Sequence, residues 1–191
     1  MSLDFNTNGY TGQMLVAMPS LGDPTFRGSV VMVCAHSPDG AMGLIINRLA
    51  PSRAIGHGVQ PPSSVIDALA RRVPIRTGGP AEISRPFVLH SPDWIDGDDT
   101  LLVDGHHAMT ATPNVLAAVA AGNGPGRTLV ALGYSGWGPG QLDAEVMANV
   151  WLTVPSSPRI TFMDDIGDMW GAAASQVGAA PAGLSGLVGH A

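Results

Sequence analysis

Apolar residues fall mostly in short runs between turn residues, and in four stretches they recur at helical spacing. Gln13–Met18, closed by Pro19, reads as a first strand. Val30–His36 and Ala41–Asn47 read as the next two. Between them stand Ser37, Pro38, Asp39 and Gly40, where proline fixes the first turn angle, aspartate can bond the backbone and glycine accepts positive φ. A hairpin is predicted. Unbroken apolarity from Val30 through Cys34 predicts a strand buried on both faces. Further short strands are predicted at Ile75–Thr77, Phe87–His90, Thr100–Val103, Arg127–Leu132, Trp151–Val154 and Ile160–Phe162.

The helical stretches are marked by their ends. Ser64 is placed to cap a helix running to about Arg72, with Val65, Ile66 and Leu69 as its apolar stripe and Pro74 beyond its end. Thr112 as cap, Pro113 at the first helical position and Gly122 after the last delimit a second, alanine-rich helix. A third is predicted from about Pro139 to Asn149, with Leu142 and Val146 on one face and Asp143 and Glu145 early, where negative charge suits the dipole. Ile166, Met169, Trp170, Ala173 and Val177 give the stripe of a fourth. Pro51–Pro62 and the acidic stretch Ser91–Asp99 read as loops.

With 191 residues, 45% of them apolar, the chain can bury one substantial core. The expected organisation is an extension over 1–11, one domain over 12–180 and a tail of small residues over 181–191. No segment carries the roughly 18 uninterrupted apolar residues of a spanning helix, and Met1–Tyr10 has neither basic flank nor apolar stretch, so a cytoplasmic protein with no membrane partner is expected.

The net charge is −6, and all nine basic residues are arginine. The absence of lysine excludes a Schiff-base lysine and the lysine of a phosphate-cradling Walker loop. Only Arg71, Arg72 and Arg76 lie close together, and the first two suit the last turn of a helix, which disfavours direct nucleic-acid binding. The single cysteine, Cys34, can form no intramolecular disulfide and sits in a run whose apolarity predicts an inert, buried thiol. Two residues on, His36 would share its strand face, so a Cys34 and His36 pair is the thiol alternative.

The segment Gly133-Tyr134-Ser135-Gly136-Trp137-Gly138-Pro139-Gly140-Gln141-Leu142 stands between a strand and a helix. With it come Met18, Pro19, Asp23, Pro24, Phe26 and Ser29–Val31, then Cys34-Ala35-His36, Ala41–Arg48, Gly78-Gly79-Pro80 and Phe87–His90, and finally Glu145, Asn149, Trp151 and the closing Gly189-His190-Ala191. On these blocks the chain resembles the YqgE/AlgH family of uncharacterised bacterial proteins. Ala35 stands where the family carries an acidic residue, and Leu49 where it carries proline after Asn47 and Arg48. The resemblance implies a single α+β domain with a curved, barrel-like mixed sheet flanked by helices. It brings the label of transcriptional regulator, with no mechanism attached.

Candidate chemistry is sparse. A nucleophile elbow needs glycine two residues to either side of its serine, and Trp137 fails Ser135 in that role. A dinucleotide fingerprint fails at Gln141, where the third glycine belongs. Asp104, His106 and His107 form the densest ligand cluster, but the spacing fits no calcium loop and an exposed polar loop is predicted, so no metal and no cofactor are assigned. His36 and His90 both end apolar strands and could line one cleft. Gly78 and Gly79 mark either a tight turn or a close approach to a ligand. Tyr134, Trp137 and Gln141 offer amphipathic contact area.

The preferred reading is a non-catalytic binding or regulatory protein that engages a protein or small-molecule partner through His36, Gly78, Gly79, His90, Tyr134, Trp137 and Gln141. The alternatives are a thiol-dependent or hydrolytic enzyme using Cys34 and His36, and a direct DNA-binding regulator.

Overall fold

The computed structural model describes residues 9–51 and 63–179. Among them the chain forms nine strands and five helices. In order these are β1 (Gln13–Ala17), β2 (Val30–Ser37), β3 (Gly40–Ile45), α1 (Ser63–Arg72), β4 (Ile75–Thr77), β5 (Ala81–His90), β6 (Thr100–Leu102), β7 (Ala108–Thr110), α2 (Pro113–Ala121), β8 (Thr128–Trp137), α3 (Gln141–Met147), β9 (Trp151–Pro155), α4 (Pro158–Thr161) and α5 (Met169–Ser175). Most of the expected 51–62 loop and the whole 181–191 tail lie outside the described residues.

The strands make one curled sheet in the order β6-β7-β5-β8-β3-β2-β1-β9, a half-barrel of antiparallel pairs. The exception is β4, which runs parallel to β8 from Ile75 opposite Val130 to Thr77 opposite Leu132. Beyond β4, the same edge of β8 pairs with β3, from Ala41 opposite Trp137 to Gly43 opposite Ser135. The sheet is therefore mixed, and the fold is α+β.

Alternation along the strands sorts the apolar residues into an inner and an outer layer. On the concave face, Met14, Val16, Met32, Cys34, Leu44, Phe87, Leu89, Leu129 and Ala131 pack with Ile160 of α4 and with Met169, Ala173 and Ala174 of α5. The convex face is covered in two patches. Ile66 and Leu69 of α1 and Val115, Leu116 and Val119 of α2 cover Val88, Val130 and Leu132, while Leu142 of α3 joins Leu15, Val31, Val33, Ile45, Trp137 and Trp151. Burial of such side chains contributes about 1.5–3 kcal/mol each and dominates folding.

The hairpin of β2 and β3 forms through the expected turn. In α2 the Thr112 hydroxyl accepts from Val115 N–H, Pro113 opens the helix and Gly122 closes it at φ 83°. Five expectations need correction. Ile160–Phe162 belongs to no strand, because Pro158 occupies the first turn of α4 with its φ already helical. The strand expected to stop at Leu132 runs through the glycine-rich segment to Trp137, and the helix after it is shorter, Gln141–Met147. Ser64 lies inside α1, which starts one residue earlier, and the last helix is confined to Met169–Ser175.

Candidate functional site

Each residue singled out in the sequence can be followed through the sheet. In β2 the register with β3 slips at one point: Val33 stands opposite Gly43, and Ala35 opposite Met42. Cys34 is the extra residue, a β-bulge that resets the alternation. Cys34 therefore lies in the concave core, whereas His36, opposite Ala41, turns to the convex side with Tyr10 and Asp143. The expected sharing of a face by Cys34 and His36 fails for this reason. Burial pushes the Cys34 thiol up to about 12, and the charge on Asp104 adds to the effect. A fully buried thiol held protonated is neither nucleophile nor redox partner at neutral pH.

His36 accepts from Tyr10 N–H through Nδ1 at 3.0 Å, so its own proton sits on Nε2 and points to Asp143 Oδ2 at 3.3 Å. Tyr10 stacks on the ring with centroids 5.2 Å apart. The imidazole thus ties the start of the described chain to α3.

His90 is enclosed elsewhere. Its Nδ1 donates to Ser91 O at 2.8 Å, leaving Nε2 to accept from the Thr110 hydroxyl at 2.9 Å, and Thr110 contacts Thr100 Oγ1 at 2.9 Å. Burial lowers its pKa, against opposing contributions from the Ser91 carbonyl and Asp93. The two histidines do not meet. His36 leads through Ala41 to Trp137 at one end of β8, and His90 stands opposite Thr128 at the other end.

Gly78 and Gly79 do allow a close approach, and what approaches is β8. A Cβ on Gly78 would lie 2.2 Å from Gly133 O, and one on Gly79 would lie 2.2 Å from the Tyr134 carbonyl. Ser135, already rejected as a nucleophile, lies in β8 and donates to Gly78 O at 3.2 Å.

Trp137 and Gln141 also work inward. The Glu145 carboxylate accepts from Trp137 Nε1 at 2.9 Å, Trp151 Nε1 at 2.7 Å and Gln141 Nε2 at 2.9 Å. Gln141 Oε1 accepts in turn from Gly138 N–H at 3.0 Å. The rings of Trp137 and Trp151 meet edge to face at 6.2 Å, and Phe26 packs edge-on against Trp151 at 5.7 Å. With Trp137 only 7% exposed, this arrangement fastens α3 onto the convex face.

The exposed loop expected around Asp104, His106 and His107 is buried at its centre. His107 is fully buried, its Nδ1 donating to Asp104 at 2.9 Å, its Nε2 3.1 Å from Thr161 Oγ1, and its ring stacked on Phe162. Burial alone would raise the Asp104 carboxyl. Donors from His107, His106 N–H and the Ser156 hydroxyl outweigh it and bring the carboxyl down to about 2. His106 is exposed, and among the described residues no group of three His, Cys, Asp or Glu side chains could hold a metal. The arginine trio is likewise divided. Arg72 donates to Ala120 O at 2.7 Å, and Arg76 is buried with its guanidinium on Ile46 O and Met163 O.

Tyr134, of the residues expected to bind, opens onto an apolar space. Gly133, at φ 72°, shifts the alternation of β8, so Tyr134 points to the concave face while Trp137 points away from it. There Tyr134 meets Phe87 edge to face at 5.7 Å. Together with Met42, Leu101, Met109 and Ala111 these rings line an open groove of about 440 Å3 that α4 and α5 leave uncovered. Arg85, Glu82 and Asp99 form its lip; Arg85 pairs with Glu82 at 3.0 Å and lies 5.1 Å from the Phe87 ring centroid.

The curled sheet, its crossing helices and the order of its blocks match known proteins. A family model described as AlgH-like matches residues 14–182. The protein belongs to the AlgH-like family. Among its relatives, a UPF0301 protein of Cereibacter sphaeroides is 45% identical over 181 residues, covering 95% of this chain and 98% of the relative. One of Rhodospirillum rubrum is 46% identical over 189 residues, covering 96% and 95%. The solution structure of the AlgH protein from Pseudomonas aeruginosa covers 100% of both chains at 36% identity and a TM-score of 0.73. A Corynebacterium diphtheriae protein, DIP2367, 21% identical, covers 84% and 83% at a TM-score of 0.65 and shares the fold.

Within this AlgH-like chain, Tyr134 is the one residue of the expected binding set that faces the groove. Sequence reasoning missed Leu101 and Met109 as its neighbours, although Met42 and Phe87 lay within the family blocks. Among the described residues no helix is long and apolar enough to cross a membrane.

Proposed function

We propose that this protein is a non-catalytic binding or regulatory protein whose ligand contact is the groove around Tyr134. One observation carries the reading. Met42, Phe87, Leu101, Met109 and Tyr134 form an apolar floor at the open end of an otherwise filled half-barrel. Aromatic rings supply contact area at low entropic cost, and methionines adapt to different partners, so such a floor suits binding. The groups that could support chemistry point the other way: the thiol and His90 are buried and His36 is engaged on both ring nitrogens. A regulatory role would then act through a bound partner or ligand, in keeping with the family's label. The separation of Arg72 and Arg76 gives no continuous phosphate-binding patch from the one cluster the sequence offered.

The test uses anilinonaphthalenesulfonate as an apolar probe of the full chain. Its fluorescence should rise on the wild-type protein, fall severalfold in Tyr134→Ala, and stay unchanged in Gln141→Ala on the convex side. Equal signal from the Tyr134 variant and the wild type would remove the groove from consideration.

A further inference from the structure

The two ends of the sheet are finished differently. At one end, β9 terminates in Pro155, whose carbonyl accepts from Gln176 Nε2, and α3 and α5 both pack against the strand. Proline and a covering helix are the usual means of closing a sheet edge. At the other end β6 has neither among the described residues. Its partner β7 lies on one side, with Thr100 opposite Thr110 and Leu102 opposite Ala108. Val103 N–H donates to His107 O at 2.9 Å, so by the alternation of an antiparallel ladder Leu101 is the residue that exchanges bonds with β7. The N–H and C=O groups of Thr100 and Leu102 then point outward, and among the described residues no strand pairs with them.

This free edge is apolar on both faces. Leu101 is 39% exposed and lines the groove on the concave side, and Leu102, 41% exposed, faces the convex side. Its approach is acidic. Asp98 and Asp99 immediately precede the strand, both exposed and without an ion pair among the described residues, while the one nearby cation, Arg85, is already paired with Glu82.

We propose that β6 is a docking edge for an extended segment of a partner protein, in which apolar residues alternate with basic ones. The segment adds as a further antiparallel or parallel strand. Its backbone bonds to Thr100 and Leu102, one set of side chains enters the mouth of the groove over Leu101 and Met109, and its cations meet Asp98 and Asp99. Backbone pairing supplies register, the groove selects apolar side chains, and the acidic approach selects sign. This deepens the binding reading above and rests on it, since the inward side chains need the groove.

The probe is a short acetylated and amidated peptide alternating valine and lysine, labelled for fluorescence anisotropy and titrated into the full-length protein. Saturable binding is expected, with slowed hydrogen exchange at the Leu102 amide. A glutamate counterpart should bind roughly fivefold more weakly, as expected for the loss of two exposed charge pairs. N-methylation at alternate residues should abolish binding, and Leu102→Pro, which removes an outward donor, should weaken it about tenfold. Asp99→Lys, with the fold intact, should erase most of the preference for lysine.

Equal binding of the N-methylated peptide, or no change in Leu102 exchange, would overturn strand addition. So would a wild-type protein that sediments as a dimer and is made monomeric by Leu102→Lys, since the occupant would then be a second copy. If peptide binding is lost in Tyr134→Ala yet indifferent to Leu102→Pro, the groove reading stands and this one falls. If the apolar probe also ignores Tyr134→Ala, both fall together.

Discussion

Tyr134 and Trp137 lie three residues apart on one strand, yet they belong to different parts of the molecule. Trp137 is closed in by Phe26, Trp151 and the Glu145 carboxylate beneath α3. Tyr134 lies partly exposed on the concave face, in a groove bordered by charged side chains. Both are amphipathic rings within one glycine-rich segment, and composition alone would give them one role. What separates them is whether a helix crosses the sheet at the place each occupies. The segment is thus two devices in sequence: an internal fastening for α3 and, just before it, one wall of an open site.

That contrast can be broken or sharpened by substitution. Trp137→Ala removes a buried indole and leaves Glu145 short of a donor, so it should cost about 3–5 kcal/mol and lower Tm by roughly 10 °C in thermal unfolding. Tyr134→Ala should cost much less, and a loss as large as that of Trp137→Ala would show that the groove wall is also structural. Gly79→Ala forces a methyl against the Tyr134 backbone carbonyl and should cost about 2–3 kcal/mol in urea unfolding, because both backbones are held by the sheet. A silent Gly79→Ala would mean that β4 and β8 can part.

Acid titration probes a third region. The Asp104 carboxyl is held at about 2 in the folded chain, below the ordinary value near 4 of the unfolded one. Its contribution is therefore complete above about pH 4 and lost as the pH falls toward 2, and it amounts to at most about 2 kcal/mol. His90 acts at higher pH with the same sign. Its folded pKa is lowered by burial, so stability falls as the pH drops below about 6.5. Asp104→Asn should flatten the first decline and leave the second, with denaturant midpoints measured across pH as the check. The smallest stability change, within about 0.5 kcal/mol, is expected of Tyr134→Phe, which keeps the ring against Phe87 and loses a partly exposed hydroxyl.

Much of the fold was legible because its signals are local. The Pro38-Asp39-Gly40 turn, the Thr112, Pro113 and Gly122 boundaries of α2, and the Ile75–Thr77 strand are each written within a few residues. β7 was not legible: Ala108, Met109 and Thr110 are too few to show a period, and β5 and β6 on either side make them a strand. Gly133 and Gly136 break the apolar run after Leu132, and only long-range contacts carry β8 past it: Gly133 lies against the carbonyls of Gly79 and Ala81, and Gly136 stands opposite Met42. The faces of Cys34 and His36 hung on one bulge, which depends on how β2 registers with β3. The groove was least visible, since β3, β5, β6, β7 and β8 each give it one to three side chains, and no spacing in the chain brings Met42, Leu101 and Met109 to Tyr134.

The central place of β8 also governs how the chain can assemble as it is made. β3, β4 and β5 emerge early but share no complete sheet until residues 128–137 arrive to lie among them, and β1 waits still longer for residues 151–155. Pairings over such sequence distances are slow to nucleate and leave strand edges bare in the meantime. A ribosome stalled before Thr128 would carry two separate pieces of sheet, β1-β2-β3 and β5-β7-β6, with β4 lacking its strand partner and the strand that joins them all still unmade.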